Sequence, residues 1–181
     1  MVGIRSGTEQ PSYQVAETIG DGVEIRRYGP SLAAEVVVPG DEEAARSAGF
    51  RRLAAFIFGE TQGGATIAMT APVAQAAAGP DEWRIRFTMP AQYSRASLPA
   101  PLDPGIAILE LPAGTAAAIR FSGVPSAAAV HDAEGRLAAA LTASRWRAAG
   151  PPVALFYDPP WTLPPLRRNE VVIAVEPAAA D

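Results

Sequence analysis

The chemistry open to this chain is bounded first by what it lacks. There is no cysteine and a single histidine, His131. Thiol catalysis, disulfides and cysteine-ligated metals are therefore excluded, and a structural zinc site has one ligand where it needs four. Asp132 follows His131, but adjacent helical residues do not face each other, so the pair does not make a catalytic dyad. Glu60 and Glu110 are isolated carboxylates, and an acid/base couple cannot be built from them. No P-loop and no GxGxxG motif is present. Arginine is what the chain has in quantity: all 15 basic residues are Arg. A guanidinium grips a carboxylate through two parallel hydrogen bonds, which suits anion binding. A GC-rich genome produces the same bias, so the two readings stand side by side. The densest stretch is YDPPWTLPPLRRNEV (157–171), where four prolines and Trp161 lead into Arg167 and Arg168.

These residues need a scaffold. With 181 residues, the chain is long enough for one domain with a real core. The net charge of −4 argues against a general nucleic-acid binder, which would carry a basic face. No run approaches the roughly 20 apolar residues of a membrane span. The start MVGIRSGTEQPSYQV is not a signal peptide. The compartment stays open: cytoplasmic, or periplasmic if an N-terminal signal has been removed. Residues 1–12 and 177–181 are expected to be flexible ends.

The chain repeats itself. Shifted by about 84 positions, residues 23–56 lie over 107–140 without a gap, and Arg52-Leu53-Ala54-Ala55 falls on Arg136-Leu137-Ala138-Ala139. Each half reads strand, tight turn, strand, helix, with Gly29-Pro30 and Ala113-Gly114 as the turns. The first helix should begin after Asp41 as N-cap and stop at Gly59, with Phe50, Leu53, Ala54 and Ile57 on one face. The second should begin near Pro125-Ser126 and bury Val130, Ala133, Leu137 and Leu141. Extended runs are expected at 66–73, 83–89, 153–156 and 170–175, and Gly20-Asp21-Gly22 as a hairpin turn. The expectation is an α+β fold: one domain over residues 1–181, with strand-strand-helix-strand-strand halves at about 13–90 and 104–176, related by a pseudo-twofold. A groove should form where the halves meet, a common place for small molecules.

Five strings in order, VEIRRYGP (23–30), TIAMTAPV (66–73), FTMP (87–90), FSG (121–123) and YDPPWTLPPLRRNEV (157–171), resemble the SOUL heme-binding protein family over about residues 13–175. The resemblance implies a distorted β-barrel with two helices, similar to the effector-binding domains of multidrug-responsive regulators. It implies a non-catalytic carrier, buffer or sensor that binds b-type heme reversibly, or another porphyrin, in a hydrophobic groove. A module for flat amphipathic ligands and a heme-dependent enzyme are the alternatives. No nucleic-acid partner is expected, and a homo-oligomer is compatible with the reading.

The family's groove lies beside the first helix and the late Pro-rich loop. Carried onto this sequence, the helix supplies Phe50, Leu53, Ala54, Ile57 and Phe58, and the loop supplies Tyr157, Trp161 and Leu163. Arg46, Arg51, Arg52, Arg167 and Arg168 are the candidate propionate clamps. Ala54-Ala55 follow Arg51-Arg52, so one basic position that family members can carry is lost. Plain packing of the apolar residues and pairing of Arg167 or Arg168 with Glu170 or Asp158 are the bland counterparts. His131 is the candidate axial ligand. Helical geometry puts it off the buried stripe of its helix, which suits a surface residue better. Met69, Met89, Tyr28 and Tyr157 are the other groups able to reach iron.

Overall fold

The computed structural model describes residues 8–178. Of the flexible ends expected at 1–12 and 177–181, residues 1–7 and 179–181 lie outside the described residues. The elements run β1 (Tyr13–Ile19), β2 (Val23–Tyr28), β3 (Ser31–Pro39), α1 (Glu42–Ile57), β4 (Val73–Gly79), β5 (Glu82–Thr88), β6 (Ile106–Leu111), β7 (Gly114–Phe121), α2 (Ala127–Thr142), β8 (Trp146–Ala148), β9 (Val153–Phe156) and β10 (Asn169–Pro177). This is an antiparallel α+β structure. It divides into two compact units, one holding the described residues to Pro11 with Pro30–Pro112, the other holding Ser12–Gly29 and the chain from Ala113.

In the first unit the strands lie in the order β4-β5-β3-β6 and are antiparallel throughout. Ala34, Val36 and Val38 of β3 and Ile85 and Phe87 of β5 alternate onto one face, where α1 packs. The buried side of α1 is Ala45, Gly49, Leu53, Ala54, Phe56 and Ile57. Gly49 is required by packing, since a Cβ there would lie 2.4 Å from Cγ1 of Ile85. Asp41 caps the helix by accepting a hydrogen bond from the Ala44 N–H (2.9 Å).

In the second unit the order is β1-β2-β7-β10-β9, with β8 also on β10. Val23, Ile25, Ala117, Ile119, Val171 and Ile173 form the face that meets α2 through Val130, Ala133, Leu137 and Leu141. Ser126 caps α2 by accepting from the Ala129 N–H (3.3 Å). Gly20–Gly22 makes the expected β1–β2 turn, with Asp21 at φ 58° and Gly22 at φ 69°.

Three expectations change. The runs at 23–28 and 31–39 are not a hairpin: β2 pairs with β7, and β3 pairs with β6. The chain passes from one unit to the other at Gly29-Pro30 and again at Pro112-Ala113. Residues 66–72 are not a strand. Their bonds go elsewhere, with the Ala71 N–H donating to Glu9 O and the Thr70 hydroxyl to Thr88 O. The strand is the alanine-rich Val73–Gly79, whose composition has little β propensity. Finally, no closed barrel forms within either unit. Among the described residues, β4 and β6 at the two ends of the first sheet do not pair with each other, nor do β1 and β9 of the second.

Candidate functional site

In the second unit, strand alternation gathers polar residues on the face of the sheet away from α2. On β2, Glu24, Arg26 and Tyr28 share that face, and Tyr13 pairs in register with Tyr28. Glu170 is the second residue of β10 and is fully buried. Arg26, also buried, forks onto it, with Nη1 donating to Oε2 (2.7 Å) and Nη2 to Oε1 (3.1 Å). Arg168 Nε donates to Oε1 (2.9 Å) and the Tyr157 hydroxyl to Oε2 (3.1 Å). A carboxylate has about four lone-pair sites, and here all are taken. Each guanidinium also lies over a ring, Arg26 over Tyr13 at 4.2 Å and Arg168 over Tyr157 at 3.8 Å from the centroid.

The electrostatics follow from burial and contact. Burial pushes the Glu170 carboxyl up, but the bonds and charge of Arg26 and then Arg168 outweigh it and hold the group below the ordinary carboxylate value. Burial, and then the Glu170 charge, raises the Tyr157 phenol. Burial likewise raises Tyr28, against the pull of Arg26, which donates to its hydroxyl (3.2 Å). Both phenols are thus neutral at pH 7. Glu170 has no lone pair left to act as a base. The cluster anchors β2, β10 and the 157–168 segment.

That segment is braced from within. Arg167 donates to the carbonyls of Thr162 (2.8 Å) and Pro160. Asp158 accepts from the Arg168 N–H (2.6 Å), and Pro164 O accepts from the Gly123 N–H (2.9 Å). Trp161 and Leu163 face outward, 81% and 66% exposed. Arg167 and Arg168 are therefore engaged inside the protein, Arg168 with Glu170 and, through its backbone, with Asp158.

On the first unit, α1 sorts its candidates by face. Leu53, Ala54 and Ile57 are buried in the unit's own core. Phe50 sits at the edge, its ring 5.5 Å from that of Phe87, and Phe58 is exposed. Arg52 is held bidentately by Asp103, Nε to Oδ2 (2.7 Å) and Nη2 to Oδ1 (2.8 Å), which raises its pKa. Arg46 is half-buried, and that burial lowers its pKa against the charges of Glu42 and Glu43. Arg51 is exposed. His131 is exposed on α2, Met69 is half-buried and Met89 is buried. Among the described residues no group of three or more His, Cys, Asp or Glu could hold a metal ion. No helix among them is long and apolar enough to cross a membrane.

Sequence reasoning did not single out Arg26 or Tyr13. Their signal was the alternation of VEIRRY, which puts Glu24, Arg26 and Tyr28 on one side of a strand. Nothing local ties Arg26 to a carboxylate 144 residues away.

The sequence profile of the SOUL heme-binding protein family matches residues 8–174. A search of curated proteins finds no match. Among solved structures, the C-terminal domain of EcmrR superposes with a TM-score of 0.68 at 11% identity, covering 92% of this chain and 99% of that one. EcmrR in a complex with DNA gives 0.65 at 12%, covering 92% of this chain and 58% of the other. A hydrolase from Listeria innocua gives 0.56 at 11%, covering 85% and 91%. At these identities the likeness is one of fold.

Proposed function

The chain belongs to the SOUL heme-binding protein family, and from that premise we propose that it binds a tetrapyrrole reversibly, as a carrier, buffer or sensor rather than an enzyme. The family match is the observation that carries the reading. The side chains accessible on the two units fit what such a ligand asks for. Each unit exposes apolar side chains of the kind a porphyrin ring uses, Phe50 and Phe58 on α1 in the first and Trp161 and Leu163 on the 157–168 segment in the second. Arg51, with Arg46 behind it, offers cations to propionates. Burying a few hundred Å² of macrocycle contributes several kcal/mol at about 25 cal/mol/Å², enough for micromolar affinity without a bond to iron.

The candidate iron ligands fit less well. Tyr28 and Tyr157 are neutral phenols held in the Glu170 cluster, and Met89 is buried. Met69, half-buried, and His131, exposed on α2, are the remaining candidates. The reading is therefore of a ligand held by its ring and its carboxylates. Hemin titration followed by absorbance tests it. A saturable Soret shift is expected, weakened about tenfold or more by Trp161→Ala or Phe50→Ala and unchanged by His131→Ala. A protein that leaves the hemin spectrum unaltered would refute it.

A second reading draws on the fold shared with the EcmrR C-terminal domain: an effector-binding module for flat amphipathic molecules. It predicts weak hemin binding that hydrophobic dyes displace readily. The Glu170 cluster bears on the sign of such ligands. Its one carboxylate already serves two guanidiniums, which leaves it no lone pair to offer a cation.

A further inference from the structure

The 159–168 segment is apolar on the outside and bonded on the inside. Trp161, Leu163 and Leu166 are 81%, 66% and 51% exposed. Val124, next to the Gly123 that hydrogen-bonds Pro164, is 58% exposed and extends the patch. Exposed apolar groups gathered like this mark a contact surface rather than ordinary protein exterior.

The backbone says what kind of contact. Four of the ten residues are proline and have no N–H to satisfy. Of the six remaining N–H groups, those of Thr162, Leu166, Arg167 and Arg168 are bonded within the segment or to Asp158. The carbonyls of Pro159, Pro160, Thr162, Leu163, Pro164 and Arg168 all accept hydrogen bonds. The N–H groups of Trp161 and Leu163 make no such bond, but most of the segment's backbone is paired by the protein's own groups, as hydrocarbon demands of chain that enters it. A partner that adds a strand needs the opposite, free backbone groups to pair with. A stable dimer needs about 800 Å² on each side, whereas these four side chains expose roughly 500 Å², taking an indole at the upper end of the aromatic range and each aliphatic chain at less. The charges agree. No Asp or Glu occurs from 159 to 169. Arg167 sits at the base of the segment, and exposed Arg120 stands in register with Glu170 at the same end of the sheet.

We infer that this segment is a membrane-surface anchor: Trp161, Leu163, Leu166 and Val124 enter the headgroup and acyl boundary of a lipid bilayer, with the exposed Arg120 left at the headgroup level. Tryptophan favours that depth, and basic side chains reach back from it to the phosphates. The anchor is shallow and reversible, as befits a few side chains without a lipid modification.

Vesicle sedimentation tests this on the protein without hemin, so its outcome is separate from that of the tetrapyrrole reading. Vesicles of phosphatidylcholine mixed with phosphatidylglycerol should carry the wild-type chain down. The Trp161→Ser/Leu163→Ser variant should partition at least tenfold less, with an unchanged far-UV circular dichroism spectrum. Vesicles containing brominated phosphatidylcholine should quench tryptophan emission in the wild type, and Trp161→Phe should remove most of the quenching while keeping the binding. The inference is overturned if the wild type stays in the supernatant. It is equally overturned if the double variant binds as well as the wild type, if quenching survives in Trp161→Phe, or if the variant's only defect is loss of a dimer.

Discussion

Both units set two arginines on one glutamate, and the settings differ. In the second unit Glu170 has no exposed side-chain surface, and Arg26 and Arg168 are 4% and 15% exposed. In the first unit Glu35 is 13% exposed and takes Arg86 Nη2 at 2.5 Å and Arg84 Nε at 3.8 Å, with those arginines 28% and 43% exposed. The same ionic grouping is an anchor in one place and a surface ornament in the other. Water decides between them. Where solvent reaches the arginines it can replace the glutamate, and where it does not, each charge depends on its partner.

Breaking the buried group should have the largest effect. Glu170→Ala takes the shared carboxylate from two guanidiniums, leaving Arg26 with Glu24 alone, and is expected to cost about 3–5 kcal/mol in urea unfolding at pH 7. A cost near that of an exposed pair would erase the contrast between the units. Gly49→Ala comes next. It pushes a methyl into Ile85 across the α1–β5 contact and should cost about 1–3 kcal/mol. Gly135→Ala on α2 meets nothing within 4 Å and should stabilise by about 0.5–1 kcal/mol, since glycine only weakens a helix there. Glu35→Ala should cost no more than about 1 kcal/mol.

Acid sharpens the comparison further. The Glu170 pKa is lower folded than unfolded, so its contribution is complete above the unfolded value, about 4.3, and disappears as pH falls through the folded one. Unfolding free energy should therefore fall with pH below about 4.5. Glu170→Gln should flatten that acid limb.

The scaffold was legible where the information is local. Asp41 and Ser126 announce the helix starts, and the Val130, Ala133, Leu137, Leu141 spacing gives the buried side of α2. The α1 stripe was legible only in part: Gly49 and Phe56 belong to the buried side, while Phe50 lies at its edge, because α1 rests on β5 through a glycine that no periodicity of apolar residues marks. Strand pairing was hidden for a different reason. Gly-Pro and Ala-Gly look like hairpin turns, and only long-range partners reveal that β2 joins β7 and β3 joins β6. Of the candidate contacts, exposure separates Phe58, Trp161 and Leu163 from Leu53 and Ile57, and exposure is a property of the folded chain. The pairing of Arg168 with Glu170 was one of two readings of Arg-Arg-Asn-Glu. Its geometry, with Arg26 completing the grip, needed coordinates.

The central claim is a ligand recognised by its macrocycle and carboxylates rather than by its metal. Affinity for iron-free protoporphyrin, measured beside hemin by quenching of tryptophan fluorescence, tests it most directly. Both should bind in the micromolar range and within about threefold of each other, since no bond to iron contributes. Binding of hemin alone, abolished by His131→Ala, would contradict it, as would the absence of binding by either.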